Sequence, residues 1–345
     1  TNTGVNTSKL NRLENFINDF PTKEKYLSGE QIHSYLDEIE RIHGLYSPVA
    51  LGFAAAFACG AFTFLLGGGP VEMLLAFFGA GIGNFVRCKL TKHHFTLFLG
   101  ITASVAAACL IYAALLKTTE LLFGISLAHE AGYICSMLFI IPSFPFITSG
   151  IDLAKLDMRS GLERLAYAMI IILVATLTAW IMALILHLKP SDFPPLSLTL
   201  WQHILFRLLA SFCGVFGFSV MFNSPKELSA TAGIIGAIAN TLRLELVDLA
   251  SLPPAAAAFI GALTAGILAS VLKSKIGYPR ISLTVPSIVI MVPGLYLYRA
   301  IYNLGVMSLQ TSASWFAAAI LIILALPLGL IFARILTDKT FRYCT

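Results

Sequence analysis

The sequence predicts an all-α polytopic membrane protein: ten transmembrane helices in two inverted five-helix repeats, two of them broken by proline, behind a short cytosolic helical segment. Three observations carry this reading. Of the 345 residues, 57% are hydrophobic and 12% charged, against roughly 25% charged in an average soluble domain. Beyond Pro48 the apolar segments recur at the length of about 20 residues that a helix needs to cross a bilayer. Short motifs of the first half then return, in the same order, in the second.

Residues 1–48 are the only soluble-looking stretch. Leu10, Leu13, Ile17 and Phe20 recur at helical spacing, and SGEQ (Ser28–Gln31), a Ser-x-x-Gln capping box, announces a second helix. Its apolar face is Ile32, Tyr35, Leu36, Ile39 and Ile42, and Gly44 ends it. Two such helices are too small to hold a core of their own. The chain begins without Met and without a signal-peptide apolar core, so a preceding cytosolic piece is expected. The spans then follow at 49–67, 71–89, 95–117, 127–149, 163–188, 200–222, 227–248, 254–273, 281–305 and 313–335.

Lys and Arg set the orientation. With the N-terminus in the cytosol, the inside loops and tail hold thirteen of them, among them Arg87, Lys89, Lys92, Lys155, Arg280 and Arg334. The outside loops hold only Lys117, Lys189 and Arg243. This asymmetry follows the positive-inside rule and predicts a multi-pass protein of the inner (plasma) membrane with both termini cytosolic. It also supports the count of ten, because one helix more or fewer would flip every later loop.

The repeat is read from four matches in order. CGAFTF (Cys59–Phe64) pairs with CGVFGF (Cys213–Phe218), and PVEML (Pro70–Leu74) with PKELS (Pro225–Ser229). GIGN (Gly81–Asn84) pairs with AIAN (Ala237–Asn240), and the proline-bearing IPSFP (Ile141–Pro145) with VPGLY (Val292–Tyr296). An odd number of spans per repeat forces the halves to insert with opposite topology, the plan of many secondary transporters. The expected units are a cytosolic segment 1–48, a first repeat 49–190 and a second repeat 191–345.

Proline removes an intrahelical hydrogen bond and disfavours helix in the residue before it. Backbone groups freed at membrane depth are tolerated only where protein buries them or a water-filled cavity meets them. Matched breaks in two repeats are the best sequence pointer to a transporter's site. The helix-breaking residues are Pro142, Pro145, Pro293 and Gly294. Around them Ser143, Thr148 and Ser149 in the first half, and Tyr296, Tyr298, Arg299 and Asn303 in the second, are candidate substrate ligands. Arg299 stands out, since a cation at membrane depth normally faces a partner or water. It is read either as holding a substrate carboxylate bidentately, or as snorkelling to the interface or pairing with Glu245 or Asp248.

Asn84 and Asn240, at the ends of the matched Gly-rich helices, are candidates to coordinate substrate or to bond a neighbouring helix. Gly79 and Gly83 form a GxxxG pair suited to close helix packing. For proton coupling the candidates are Glu130, beside His129, and Asp152; Asp152 also reads as a cap in the cytosolic linker.

Several classes of chemistry find no support. The six cysteines (Cys59, Cys88, Cys109, Cys135, Cys213, Cys344) are scattered without a CxxC pair, so neither a zinc ribbon nor a redox motif is read. Cys88 with His93 and His94 sits among Arg87, Lys89 and Lys92 and reads as a solvated loop, not a metal centre. There is no Walker A, HExxH, GxSxG or nucleotide fingerprint, and no basic run interleaved with aromatics that would suggest nucleic acid. The reading is a non-enzyme without cofactor or metal, whose partners are a small-molecule substrate and the bilayer; the oligomeric state is left open.

Several of these stretches resemble the threonine/serine exporter family. They are SPKEL (Ser224–Leu228), IPSFPFITSGIDL (Ile141–Leu153), SGLERL (Ser160–Leu165) and, most specific, MVPGLYLYRA (Met291–Ala300). LDEIER (Leu36–Arg41) and LLGGGP (Leu65–Pro70) fit as well. The resemblance implies two five-span halves, sometimes separate subunits, and export of serine, threonine or a similar small carboxylate by proton antiport. Split relatives are associated with succinate export, so a small dicarboxylate is the alternative substrate, and a passive channel for small carboxylates the alternative mechanism. Two departures stand out. The family's first break usually reads PGVP, where this chain has Ser143 and Phe144 in place of Gly-Val. Its longer N-terminal region resembles a hydrolase, and of this only the tail-end helices are present, so no catalytic residue carries over.

Overall fold

A computed structural model describes residues 6–21, 26–42, 44–124, 129–194 and 196–342. Among them the secondary structure is helical throughout. Two short helices come first, α1 (Thr7–Asp19) and α2 (Gly29–Arg41). The SGEQ capping box forms as predicted: Gln31 N–H donates to Ser28 Oγ, and Ser28 N–H donates to Gln31 Oε1. The buried face of α1 is shifted from the predicted one. Phe16, not Ile17, is buried and stacks on Tyr35 at 4.8 Å, while Ile17 and Phe20 are exposed. The pair does not stand alone. Thr7 N–H donates to the Phe222 carbonyl, Thr7 Oγ1 meets Ser224 Oγ at 2.7 Å, and Tyr46 Oη donates to the Ser224 carbonyl.

Eight helices among the described residues are long and apolar enough to cross a membrane. They are α3 (Pro48–Leu65), α4 (Pro70–Lys92), α5 (Leu97–Phe123), α8 (Met158–Leu186), α9 (Leu200–Met221), α10 (Lys226–Asp248), α11 (Pro254–Ile276) and α14 (Leu309–Thr337). A final turn, α15 (Lys339–Arg342), follows. Their starts obey local chemistry. Proline, which has no N–H to lose in a first turn, opens α3, α4 and α11. Gly124, at a left-handed φ of 65°, closes α5.

Two further segments are bent pairs. The first is α6 (Gly132–Ser136), a 3-10 turn (Leu138–Ile140) and α7 (Ser143–Ala154), bent by 58°. The second is α12 (Arg280–Ile288), a 3-10 turn (Val289–Met291) and α13 (Gly294–Gly305), bent by 44°. Counting each as one span gives ten. Of the predicted fourth span, residues 127 and 128 lie outside the described residues, as does Cys344.

The second half repeats the packing of the first. Within the first, α3 packs on α4, α4 on α5 and α6, α7 on α8, and α5 on α8. Within the second, α9 packs on α10, α10 on α11 and α12, α13 on α14, and α11 on α14. The halves interlock through α3 with α9, α7 with α14 and α8 with α13. Glycines allow the closest approaches. A Cβ on Gly83 would lie 2.9 Å from Ala108 Cβ, Phe139 Cζ and the Ser104 carbonyl oxygen, so the GxxxG face does bring α4 against α5 and the first broken segment. Gly150 of α7 leaves room for the ring of Pro327, which α14 accommodates without ending.

Large apolar side chains point outward along these helices, among them Phe53, Phe57, Phe78, Leu110, Leu173, Leu324 and Phe332. A soluble monomer rarely exposes so much contiguous apolar surface; lipid is the solvent this face fits.

Candidate functional site

The two breaks are local copies of each other. Pro142 lies at φ −80°, ψ 58° and Pro293 at φ −81°, ψ 56°, close to the inverse γ-turn minimum. Each is spanned by the same bond: Ser143 N–H donates to the Ile141 carbonyl at 2.8 Å, and Gly294 N–H to the Val292 carbonyl at 2.8 Å. Each proline carbonyl then starts the next helix, accepting from Phe146 and from Leu297. The breaks also touch. A Cβ on Gly294 would meet Ile141 and Leu138 at 3.1–3.2 Å, and Tyr133 Oη hydrogen-bonds Tyr298 Oη at 2.5 Å, both rings being fully buried. The paired breaks therefore form one locus.

The residue after Tyr298 on α13 is Arg299. Its side chain is 17% exposed and lies over the Trp315 ring, 5.0 Å from the centroid; Tyr296 packs edge-on against the same indole at 5.1 Å. Neither anticipated carboxylate partners it. Nη2 donates to Asp192 Oδ1 at 2.8 Å, and Asp192 is 90% exposed in the connection between α8 and α9. Glu245 and Asp248 instead hold Arg207, a span arginine that loop counting passes over. Arg299 Nε is buried and has no hydrogen-bond partner among the described residues. A guanidinium with one edge taken by an exposed loop carboxylate and a buried N–H left over is short of an acceptor.

The other predicted ligands are placed as follows. Ser143, Thr148 and Ser149 are buried beside the first break, and their hydroxyls donate to the carbonyls of Ile141, Phe144 and Gly161. Asn303 Nδ2 donates to the Arg299 carbonyl. Asn84 and Asn240 lie on α4 and α10 and bond the first helix of their own half, through the Leu51 carbonyl and Ser211 Oγ; Asn240 Oδ1 is buried without a partner. Glu130 accepts from the backbone N–H of Lys189, and Asp152 forms an ion pair with Arg164 at 2.7 Å. Pro145 lies in the first turn of α7, behind Pro142.

Two functional features escaped sequence reasoning. The GIGN/AIAN match continues to Arg87 and Arg243, giving Asn-x-x-Arg in both halves; Arg243 Nη1 donates to the Met291 carbonyl, which the second break frees. Glu72, inside the matched PVEML motif, is wholly buried and hydrogen-bonds His129 Nδ1 at 2.6 Å. Only the contrast with Glu227, its exposed counterpart in PKELS, marks it.

A separate apolar cavity of about 640 Å³ opens between α3, α4 and α9, lined by Phe57, Phe64, Met73, Phe77, Leu196 and Phe206. With almost no polar atom in its wall it suits an acyl chain, not a charged small molecule.

Comparison with known families adds two findings. Residues 1–187 match the family model described as a putative threonine/serine exporter, and residues 207–336 match the model described as Threonine/Serine exporter, ThrE. Neither the curated proteins nor the solved structures give a match.

Proposed function

The chain belongs to the threonine/serine exporter family, and from that premise we propose that it is a proton-coupled secondary transporter that exports a small amino acid, with Arg299 as the carboxylate anchor. The observation that carries the proposal is the unmet guanidinium. Arg299 follows Tyr298 on α13 and lies over the Trp315 ring, with a buried Nε–H lacking an acceptor among the described residues and Nη2 held by an exposed loop carboxylate. A substrate carboxylate that took both edges would replace Asp192 and complete the fork. Tyr296, Tyr298, Ser143, Thr148, Ser149 and Asn303 would surround the rest of the molecule, with Asn84 and Asn240 behind them. A serine-sized ligand has a carboxylate for Arg299 and a hydroxyl for such a shell; a dicarboxylate would satisfy the first and strain the second.

In this reading the ten segments are two inverted halves, 49–190 and 191–345, behind the segment 1–48. Both termini lie in the cytosol, and the Lys/Arg asymmetry supports that orientation in the inner membrane. Alternating access would come from one half rocking on the other about the paired breaks. The test is counterflow in proteoliposomes with serine, threonine and succinate. Arg299→Gln should lower exchange by about tenfold or more, the value of one charge-assisted hydrogen bond; unchanged exchange removes Arg299 from the site.

A further inference from the structure

We infer that Glu72 and His129 together form the proton-binding site of the transport cycle, in place of Glu130 or Asp152; this rests on the proton-coupled export reading. Glu130 accepts a loop N–H, and Asp152 is paired with the cation of Arg164 near the end of α7. Glu72 is different. It is completely buried in the first turn of α4, and its two oxygens have separate tasks. Oε2 accepts the Gly69 N–H at 2.9 Å and closes the helix cap. Oε1 hydrogen-bonds His129 Nδ1. A cap needs only the first, as the exposed positions of most capping residues show. The second ties a buried carboxylate to a ring that is 22% exposed.

With Glu72 as the carboxylate, which only accepts, His129 carries its proton on Nδ1, and in the neutral ring the free Nε2 takes the next proton. With the imidazole neutral the pair bears one negative charge, held by the Gly69 N–H and the N-terminal end of α4. One proton added at Nε2 gives imidazolium and carboxylate, net zero, and the Nδ1–Oε1 bond is made in both states. Loss of that proton after the conformational change restores the start. Tyr112 Oη donates to the His129 carbonyl at 2.6 Å and lies hard against Gly132, so the segment carrying the ring is braced from α5. The charged and titratable groups around the pair are few. Tyr112 from α5 and Cys135 from α6 share the field of Glu72, and Cys135 shares that of Arg299 on α13 as well. Glu130, next to His129 in the chain, accepts from the Lys189 backbone N–H, and α3 contributes the uncharged Thr63.

The charge of the pair thus changes by one, and Cys135 of α6 lies in the field of both Glu72 and the carboxylate anchor. A zwitterion's ammonium favours the anionic pair and a proton removes that charge. Substrate and proton therefore become alternatives, which is what an antiporter requires.

The experiment uses the full chain in proteoliposomes and two readings: serine counterflow at equal pH, and serine uptake driven by a pH gradient. Glu72→Gln keeps the cap and the shape but cannot hold the charge, and His129→Gln leaves Glu72 on Gly69. His129→Gln should keep counterflow while gradient-driven uptake falls to the leak. Glu72→Gln, which fixes the charge of the protonated pair, should lower counterflow as well; in both the pH dependence of counterflow should flatten. Gradient-driven uptake retained in both variants overturns the assignment. Wild-type counterflow without any gradient response overturns proton coupling, and with it this role. Wild type that exchanges none of serine, threonine or succinate overturns the export reading itself. If neither variant yields a monodisperse protein, the pair is structural and the inference fails.

Discussion

Arg299 shows how much one side chain is asked to do in this fold. An arginine near the centre of a membrane helix costs about 2.5–3.5 kcal/mol on insertion scales, and cation–π contact with Trp315 returns only about 0.5–2 kcal/mol of it. The remainder needs an anion. Asp192 supplies one from a side chain 90% exposed, and exposed ion pairs are weak. Such a contact can be displaced by a better-placed carboxylate, so Asp192 acts as a resident competitor. Asp192→Asn is therefore expected to lower the half-saturation concentration for substrate by no more than about fivefold, read by counterflow at graded serine. A rise in that concentration would show that Asp192 helps substrate to bind. The sequence named Arg299 but gave the wrong partners for it. Glu245 and Asp248 sit at the right depth on α10, yet Arg207 of α9 faces them and takes both. Depth can be counted along a sequence; which face of which helix turns toward which neighbour cannot.

At the scale of elements, small residues decide how near the helices come. Gly83 and Gly79 of α4 lie where a Cβ would overlap α5 and the first broken segment. Gly83→Leu should destabilise the folded protein by about 1–3 kcal/mol or more through overpacking, visible as a lower unfolding temperature in detergent. No shift would mean that the α4–α5 contact is looser than described. The breaks themselves were legible. Pro142 and Pro293 were identifiable as helix-breaking, and the helix ends fall within a few residues of expectation because apolar runs, prolines and capping residues act locally. Their near-identical dihedral angles were not legible, since Ser143 and Gly294 differ and nothing in the chain requires that two such residues accept the same turn. The Glu72–His129 pair was hidden for another reason. Its members are 57 residues apart, and a buried glutamate reads like an ordinary first-turn acid until its neighbours are known.

Among the described residues, the contacts made within α3–α8 recur within α9–α14, and the two sets of helices are not independent. The broken segment of each half packs on the last helix of the other, α7 on α14 and α13 on α8; Gly150 seats Pro327 in one place and Gly305 lies against Trp180 in the other. Chains divided in the connection between α8 and α9 should accordingly copurify when coexpressed, whereas either half alone should be lost. A half that purifies alone in monodisperse form would show that the interlock is dispensable. The N-terminal helices add a further cross-contact, because α1 bonds the turn between α9 and α10 at Phe222 and Ser224. Movement of the second half would carry that segment with it.

The sequence by itself determined the all-helical class, the apolar segments and the two breaks, because hydropathy, proline geometry and capping act over a few residues at a time. The tertiary structure alone decided which breaks touch, that Asp192 holds Arg299, that Asn84 and Asn240 are engaged in helix contacts, and that Glu72 is buried against His129. Those depend on the rotation of each helix about its axis and on the path of the loops. Both are set by packing summed over the whole bundle, and no local stretch of the chain records them.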